Sequence, residues 1–383
     1  MEVAGSGAAE LRELGLDPNR WARVLELVRG WCESELLPSA GLIAGRRDRT
    51  TGTHLFGRQT LSPDSPPIRN DAIFLIASIT KPVVGTAILQ LVERGLLALG
   101  DRVENFIPEF GKEGKHAVTI RNLLTHTSGL PDMLPNNQAL REAHSPLEAF
   151  AAETCKIKLE FPPGRGVQYQ SMGFAILGEI ITRVTGRTCA EFVRDEIFRP
   201  LGMADTALGA PADWFEGPQP VAERIPEIRV PEELQWALSW NWNSRYWRML
   251  GAPWGGMLTT PADLARFAQM MLNHGTRDGV RILSPAAVAA ATRNQLTDMR
   301  DISDEDRRSR PWGLGWRLNW PSHSANFGDL LSARTYGHWG ATGTLMWIDP
   351  DREAFLVFCT TQSQEPHGTY LSRLSNAVAA ALI

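Results

Sequence analysis

Lysine is the scarcest charged residue in this chain: only five stand beside 34 arginines in 383 positions. Positive charge is carried almost wholly by guanidinium groups, mixed with acids along the chain. No basic block or stripe follows a phosphate backbone, so nucleic acid is not an expected partner. The four cysteines, Cys32, Cys155, Cys189 and Cys359, lie far apart without a CxxC pair and read as buried thiols. His54, His116, His144, His274, His323 and His367 show no metal-ligand spacing. No apolar run reaches the length of a membrane span, so no membrane partner is expected. The opening "MEVAGSGAAELREL" lacks the positive segment and apolar core of a secretory signal, and the expected location is cytoplasmic. G-x-S-x-G is absent, which argues against the nucleophile elbow of α/β-hydrolases.

What is present describes a globular protein of one or two domains, 43% hydrophobic, with a net charge of −4. Residues 19–37 carry apolar side chains at helical spacing, with Asp17 or Asn19 available as cap. "SAGLIAGRR" and "THLFGRQT" read as a pair of short strands. A helix is expected from Ser78 to a stop at Gly95, and further helices over 146–157, 172–186, 189–197, 261–274 and 284–294. The last seventy or so residues turn strand-like in "WGLGWRLNW", "RTYGHWGAT", "GTLMWIDP" and "AFLVFCTTQ", with "DPDR" as a hairpin turn and a closing helix over 369–382. Strands at both ends with helices between imply an α/β (α+β) fold. An antiparallel sheet from residues 1–77 and about 295–383 would carry flanking helices and a mostly helical insertion over about 78–294, with the site between them.

The stretch "FLIASITKPVVG" (74–85) puts one of the rare lysines three residues after a serine, among apolar neighbours. A serine hydroxyl is a weak nucleophile at neutral pH and needs a base in contact. Residues three apart share a helix face, and an ammonium in an apolar niche gives up its proton more readily, so Lys81 can serve Ser78. A helix beginning there also aims backbone N–H groups at an oxyanion. About a quarter of one S-x-x-K match is expected by chance in this composition, so the pair needs partners elsewhere.

Two partners appear. "GRGVQYQSMGFAILG" holds Tyr169, one of only four tyrosines, with Ser171 two residues on, and "YGHWGATGT" holds His338, Trp339 and Gly340 in a glycine-rich strand. In this order, Ser78-x-x-Lys81, Tyr169-x-Ser171 and His338-x-Gly340 resemble the three active-site motifs of the serine β-lactamase and penicillin-binding-protein superfamily. "LLTHTSGLP" (123–131), "RPLGMADT" (199–206), "GGMLTTPADLARF" (255–267) and "WGLGW" (312–316) resemble landmarks of its class C-like branch. That branch contains class C β-lactamases, family VIII carboxylesterases and D-amino-acid-specific peptidases. The resemblance runs from about residue 20 to the end and implies the following roles. Ser78 would be acylated, Lys81 would share or accept its proton, and Tyr169 would act as general base and pass the proton to the leaving group. The N–H groups of Ser78 and Ala341 would form the oxyanion hole. No cofactor or metal is implied.

Two departures bear on substrate. Class C β-lactamases have Lys-Thr-Gly where this chain has His338-Trp339-Gly340, and an imidazole is a weaker, pH-dependent anion partner. Their Tyr-x-Asn is Tyr169-x-Ser171 here, which loses an amide that contacts substrate. Both changes favour a family VIII-type esterase acting on a small-molecule ester. A D-amino-acid peptidase or amidase, a weak β-lactamase with His338 as carboxylate partner, and a non-catalytic binder are the alternatives. The segment 236–254, with five of the 13 tryptophans including Trp254, reads either as core or as the wall of an apolar pocket. His126 reads as a turn-locking residue, and Asp263 as a first-turn acid. Oligomeric state is not legible.

Overall fold

The computed structural model describes residues 7–235, 239–319, 327–363 and 369–383. Trp236, His323 and His367 lie outside the described residues, as do parts of the 236–254 segment and of "WGLGWRLNW".

Strand β1 (Ser39–Arg46) is followed by the short β2 (Arg49–Thr50) and β3 (His54–Gly57), and the chain returns to this sheet only near its end. The late strands are β4 (Arg317–Leu318), β5 (Tyr336–Gly340), β6 (Thr344–Asp349) and β7 (Ala354–Thr360). The order is β2-β1-β7-β6-β5-β4, with β3 also paired to β1. β1 and β7 run antiparallel from Ala40↔Thr360 to Arg46↔Ala354, so the two ends of the chain meet in the middle of the sheet. This is the architecture expected from strands at both termini.

Five helices matter for the site: α1 (Pro18–Glu33), α2 (Thr80–Glu93), α3 (Met172–Thr185), α4 (Pro261–Leu272) and α5 (Thr369–Ala381). Asp17 caps α1 by accepting from the N–H of Arg20 at 2.8 Å, with Pro18 in the first turn, where a missing N–H costs nothing. α1 buries Trp21, Val24 and Val28 in a core shared with α5 and one sheet face. α4 packs on β1, β6 and β7 from the other side. There a larger core joins the sheet to α2 and α3.

The structure corrects the sequence reading in places. "WGLGW" is not a strand: only Arg317 and Leu318 pair with β5, and the preceding glycines form a turn. Gly315 has φ +80°, its N–H reaches the Leu124 carbonyl at 2.9 Å, and a Cβ on Gly85 of α2 would lie 3.1 Å from the Leu314 carbonyl oxygen. Backbone lies against backbone here, which small residues permit and a strand would not. The helix expected over 189–197 is α-helical only over Cys189–Val193 and widens into a π-turn at Arg194–Phe198.

Candidate active site

Ser78 sits in a single 3₁₀ turn, Ala77–Ile79, that leads into α2 rather than in the α-helix itself. Side chains at i and i+3 nearly eclipse in a 3₁₀ turn, which brings Lys81 directly over Ser78. Ala77 has φ +46°, a left-handed conformation that an alanine adopts only under constraint. The constraint is visible. Thr342 and Thr344 donate to the carbonyls of Leu75 and Ile76 at 2.6 and 2.9 Å, and Thr80 donates to the Ala77 carbonyl at 2.7 Å. These bonds clamp the turn to the β5–β6 hairpin. Gly340 makes the approach possible, because a Cβ there would lie 2.3 Å from the Ile76 carbonyl oxygen. Ala72–Ala77 and Ile79–Lys81 are buried, and Ser78 alone in this run is partly open.

Lys81 is fully enclosed. Its Nζ donates to Ser78 Oγ at 3.1 Å and to the Trp254 carbonyl at 2.8 Å, and lies 4.8 Å from the centre of the Tyr169 ring. Burial pulls its pKa down to about 7, with the nearby Asp132 carboxylate opposing. A lysine is thereby poised to exchange a proton with a serine at neutral pH.

Tyr169 is held by a folded-back loop. His126, at φ +59°, accepts from the N–H of Gln170 through Nδ1 at 3.0 Å and stacks on the Tyr169 ring at 4.7 Å. Gln170 donates to the Leu123 carbonyl at 3.1 Å and accepts from Ser128. Asp132 closes the loop, its carbonyl taking the N–H groups of Ser171 and Met172 at the start of α3. His126 therefore does lock a turn, and it is also the platform under the tyrosine. Burial pushes the Tyr169 phenol well above its ordinary value, and the Ser78 hydroxyl partly offsets this. Tyr169 rests as a neutral phenol.

β5 supplies the opposite wall. His338 is buried, 6.0 Å from Tyr169 between ring centres. Its pKa is driven well below the ordinary histidine range, by burial first and then by the Lys81 charge. Its Nδ1 is 2.7 Å from the Trp339 carbonyl, which can only accept, so Nδ1 carries the proton and the buried Nε2 presents a bare lone pair. At neutral pH His338 is therefore an uncharged imidazole. This agrees in direction with the weak, pH-dependent anion partner that the sequence offers at this position. Ala341 opens the turn that closes at Gly343, beside Gly340 and the Ser78 turn.

Other expected site residues are placed differently. Trp339, next along β5, packs edge-on to Phe327 at 5.6 Å with the core shared by α1 and α5. Ser171 is buried at the head of α3 with its N–H on Asp132. The Trp254 ring lies in the core against Phe150 at 5.4 Å and lines a cavity of about 230 Å³ with Ala175, Gly178 and Pro253. It is the Trp254 carbonyl that reaches the site, through Lys81. Asp263 does more than begin α4: it accepts from the Asp205 N–H and the Thr206 hydroxyl at 2.8 and 3.0 Å. Sequence reading missed Gln170, Asp132, Trp312 and Arg317. Trp312 packs against His126 at 4.1 Å and lies 5.9 Å from both Tyr169 and His338. Trp312 opens the "WGLGW" landmark and Arg317 directly follows it, which was the signal available for both. Among the described residues no cluster of His, Cys, Asp and Glu could hold a metal ion. No helix among them is long and apolar enough to cross a membrane.

The arrangement can move a proton between a serine, a lysine and a tyrosine beside a turn of backbone N–H groups, which is the equipment of acyl transfer. Comparison with known proteins agrees. A solved penicillin-binding-protein homologue from Caulobacter crescentus shares the fold, with TM-score 0.78 and 24% identity over 99% of this chain and 100% of that one. A family VIII carboxylesterase does so with TM-score 0.76 and 21% identity, over 99% of this chain and 100% of its own. A Salmonella typhimurium protein assigned by inference as a D-alanyl-D-alanine carboxypeptidase is 30% identical over 326 residues, 78% of this chain and 72% of that protein. The beta-lactamase family model matches residues 27–380, and this chain is a serine hydrolase of that family, within the superfamily of serine β-lactamases and penicillin-binding proteins.

Proposed function

We propose that the protein hydrolyses short- to medium-chain carboxylic esters through an acyl-enzyme on Ser78. The observation that carries this reading is the 3.1 Å contact between Lys81 Nζ and Ser78 Oγ, with a lysine pKa drawn down to about 7. In the proposed cycle Ser78 Oγ bonds to the ester carbonyl carbon as its proton passes to the neutral Lys81 amine. The N–H groups of Ser78 and Ala341 take the oxyanion. The acyl–oxygen bond then breaks, the Tyr169 phenol gives its proton to the departing alkoxide, and the Lys81 ammonium restores the phenol. Water attacks the acyl-enzyme, loses a proton to Lys81, and the acid leaves as Ser78 regains its hydrogen. This assigns the resting base to Lys81 and the acid to Tyr169, because burial moves the two pKa values in opposite directions.

A neutral His338 and the short Ser171 favour esters over β-lactams, whose carboxylate and acyl amide would lose partners. A D-alanyl amide is the second reading, supported by the Salmonella relative. Ser78→Ala is expected to lower kcat/KM for 4-nitrophenyl butyrate by about 10³-fold or more. Ordinary activity in that variant would reject the nucleophile. An amide preference above about tenfold, measured as kcat/KM on a D-alanyl anilide against the ester, would favour the second reading.

A further inference from the structure

Pro253 and Trp254 end the tryptophan-rich segment and lie against α3. Gly178 allows the approach, since a Cβ there would come within 2.5 Å of the Pro253 ring. Beside this contact the packing leaves the cavity of about 230 Å³, between α3, the helices Leu147–Thr154 and Cys189–Val193, and residues 249–254. Its floor is buried or nearly so and apolar, formed by Ala151, Ala175, Leu208, Pro253 and Trp254. Glu148, Glu179, Thr182 and Thr188 form a more exposed rim. Ser78, Lys81, Tyr169 and His338 do not line it.

Size and chemistry both say what fits. An apolar cavity of about 150 Å³ admits benzene, so 230 Å³ has room for one ring with a small substituent. The Trp254 ring, 3% exposed, forms one wall, and its Nε1 is buried without a hydrogen-bond partner among the described residues. A buried, unpaired indole N–H is unfavourable, and an acceptor inside the cavity would relieve it. The apolar floor disfavours any charged guest, and the Glu148 and Glu179 carboxylates at the rim disfavour an anion most. Trp254 also joins this cavity to the catalytic side, because its carbonyl accepts from Lys81 Nζ at 2.8 Å. A void forfeits dispersion contacts, so an empty cavity lets the indole shift into it and draw the carbonyl away from Lys81. A guest favours the arrangement in which carbonyl and Nζ meet.

We propose that this cavity is an effector site for a small, neutral aromatic molecule bearing one hydrogen-bond acceptor, whose presence raises turnover by fixing Trp254 against Lys81. The site is separate from that of the ester: the Trp254 ring faces one and its carbonyl the other. Binding there is independent of the acyl-enzyme reading, and the effect on rate rests on Lys81 acting as the base in it.

Acetophenone is the probe, titrated into the intact protein by calorimetry and added in parallel to the hydrolysis of 4-nitrophenyl butyrate. One saturable site with Kd of about 1 mM or tighter is expected. At saturation kcat should rise at least about twofold, with KM within about twofold of its value without acetophenone. Benzoate, similar in shape but anionic, should bind at least about tenfold more weakly. Trp254→Phe keeps a ring and removes the donor. It should weaken acetophenone by about fivefold or more, and α-methylstyrene, which has CH2 in place of the carbonyl oxygen, by no more than about twofold. Ala151→Leu fills the cavity from the helix Leu147–Thr154 and should abolish acetophenone binding while leaving kcat/KM without acetophenone within about threefold. Should that variant fail to fold, Ala190→Leu fills the cavity from the opposite side and is held to the same outcome. No saturable binding, binding undiminished in the filled variant, competition with the ester, or an unchanged or lowered kcat overturns the proposal. Activity surviving Ser78→Ala would instead sink the acyl-enzyme reading and leave the binding result standing.

Discussion

Two of the five lysines, Lys81 and Lys115, are fully enclosed, and only one of them has chemistry beside it. Each ammonium donates to a main-chain carbonyl, Lys81 to Trp254 and Lys115 to Ile157, and each stands near an aromatic ring. Burial lowers both pKa values. Lys115 has Cys155 and Glu113 favouring its charged form, and among the described residues no hydroxyl hydrogen-bonds to its ammonium. Lys81 has Ser78 Oγ at 3.1 Å on the adjoining turn. Burial makes a lysine willing to lose its proton, and of the two only Lys81 has a hydroxyl in contact with which to exchange it.

The sharpest break of this comparison is substitution of each lysine in turn. Lys81→Met should lower kcat/KM for 4-nitrophenyl butyrate by about 10³-fold or more, and Lys115→Met should leave it within about twofold. A comparable fall in both would mean that burial alone matters.

Stability should separate Lys81→Met from the wild type in a pH-dependent way. A lysine near 7 in the fold and 10.5 when free binds fewer protons folded than unfolded between those values, so wild-type stability gains from this group as pH rises through that window. The methionine variant, free of that term, should gain most over wild type at or below about pH 7 and least above pH 10.5. Urea midpoints at pH 6, 8 and 10 would check the trend, and a constant difference would refute it.

Gly340→Ala tests the clamp that holds the serine turn under Lys81. A Cβ would meet the Ile76 carbonyl oxygen at 2.3 Å, which forces β5 and the turn apart. A fall of about 10- to 100-fold in kcat with a lowered Tm is expected. Unchanged kinetics would show that the turn does not depend on this contact.

The smallest effect is that of pH on the intact protein. kcat/KM should decline below about pH 7, approaching tenfold per unit, as the Lys81 amine becomes charged. The limb belongs to the coupled Lys81, Ser78 and Tyr169 group rather than to one residue. A flat profile from pH 5 to 9 would oppose a neutral Lys81.

The pairing of the chain's two ends was legible because β1 and β7 are nearly continuous apolar runs, as a sheet covered on both faces requires. The "WGLGW" turn was misread because aromatic and glycine residues satisfy strand spacing until Gly315 takes a positive φ against the Lys81 carbonyl. The grouping of Ser78, Lys81 and Tyr169 was legible because they are chemically distinctive and stand in the order of a known motif set, and the structure brings the three together. His126 illustrates the limit: its setting announced a turn, and only packing made it the ring beneath Tyr169.

By itself the sequence determined which residues can do chemistry, since a hydroxyl, an amine and a phenol are properties of side chains, and local spacing brings Ser78 under Lys81 in one turn. Tertiary structure decided which of two buried lysines has a serine to serve. It made His338 neutral by enclosing it, and it stacked Arg317 and Arg141 each between two indoles, in each case with at least one from a distant part of the chain. Charge state and partnership depend on solvent exclusion and on neighbours far apart in the chain, and no local pattern encodes either.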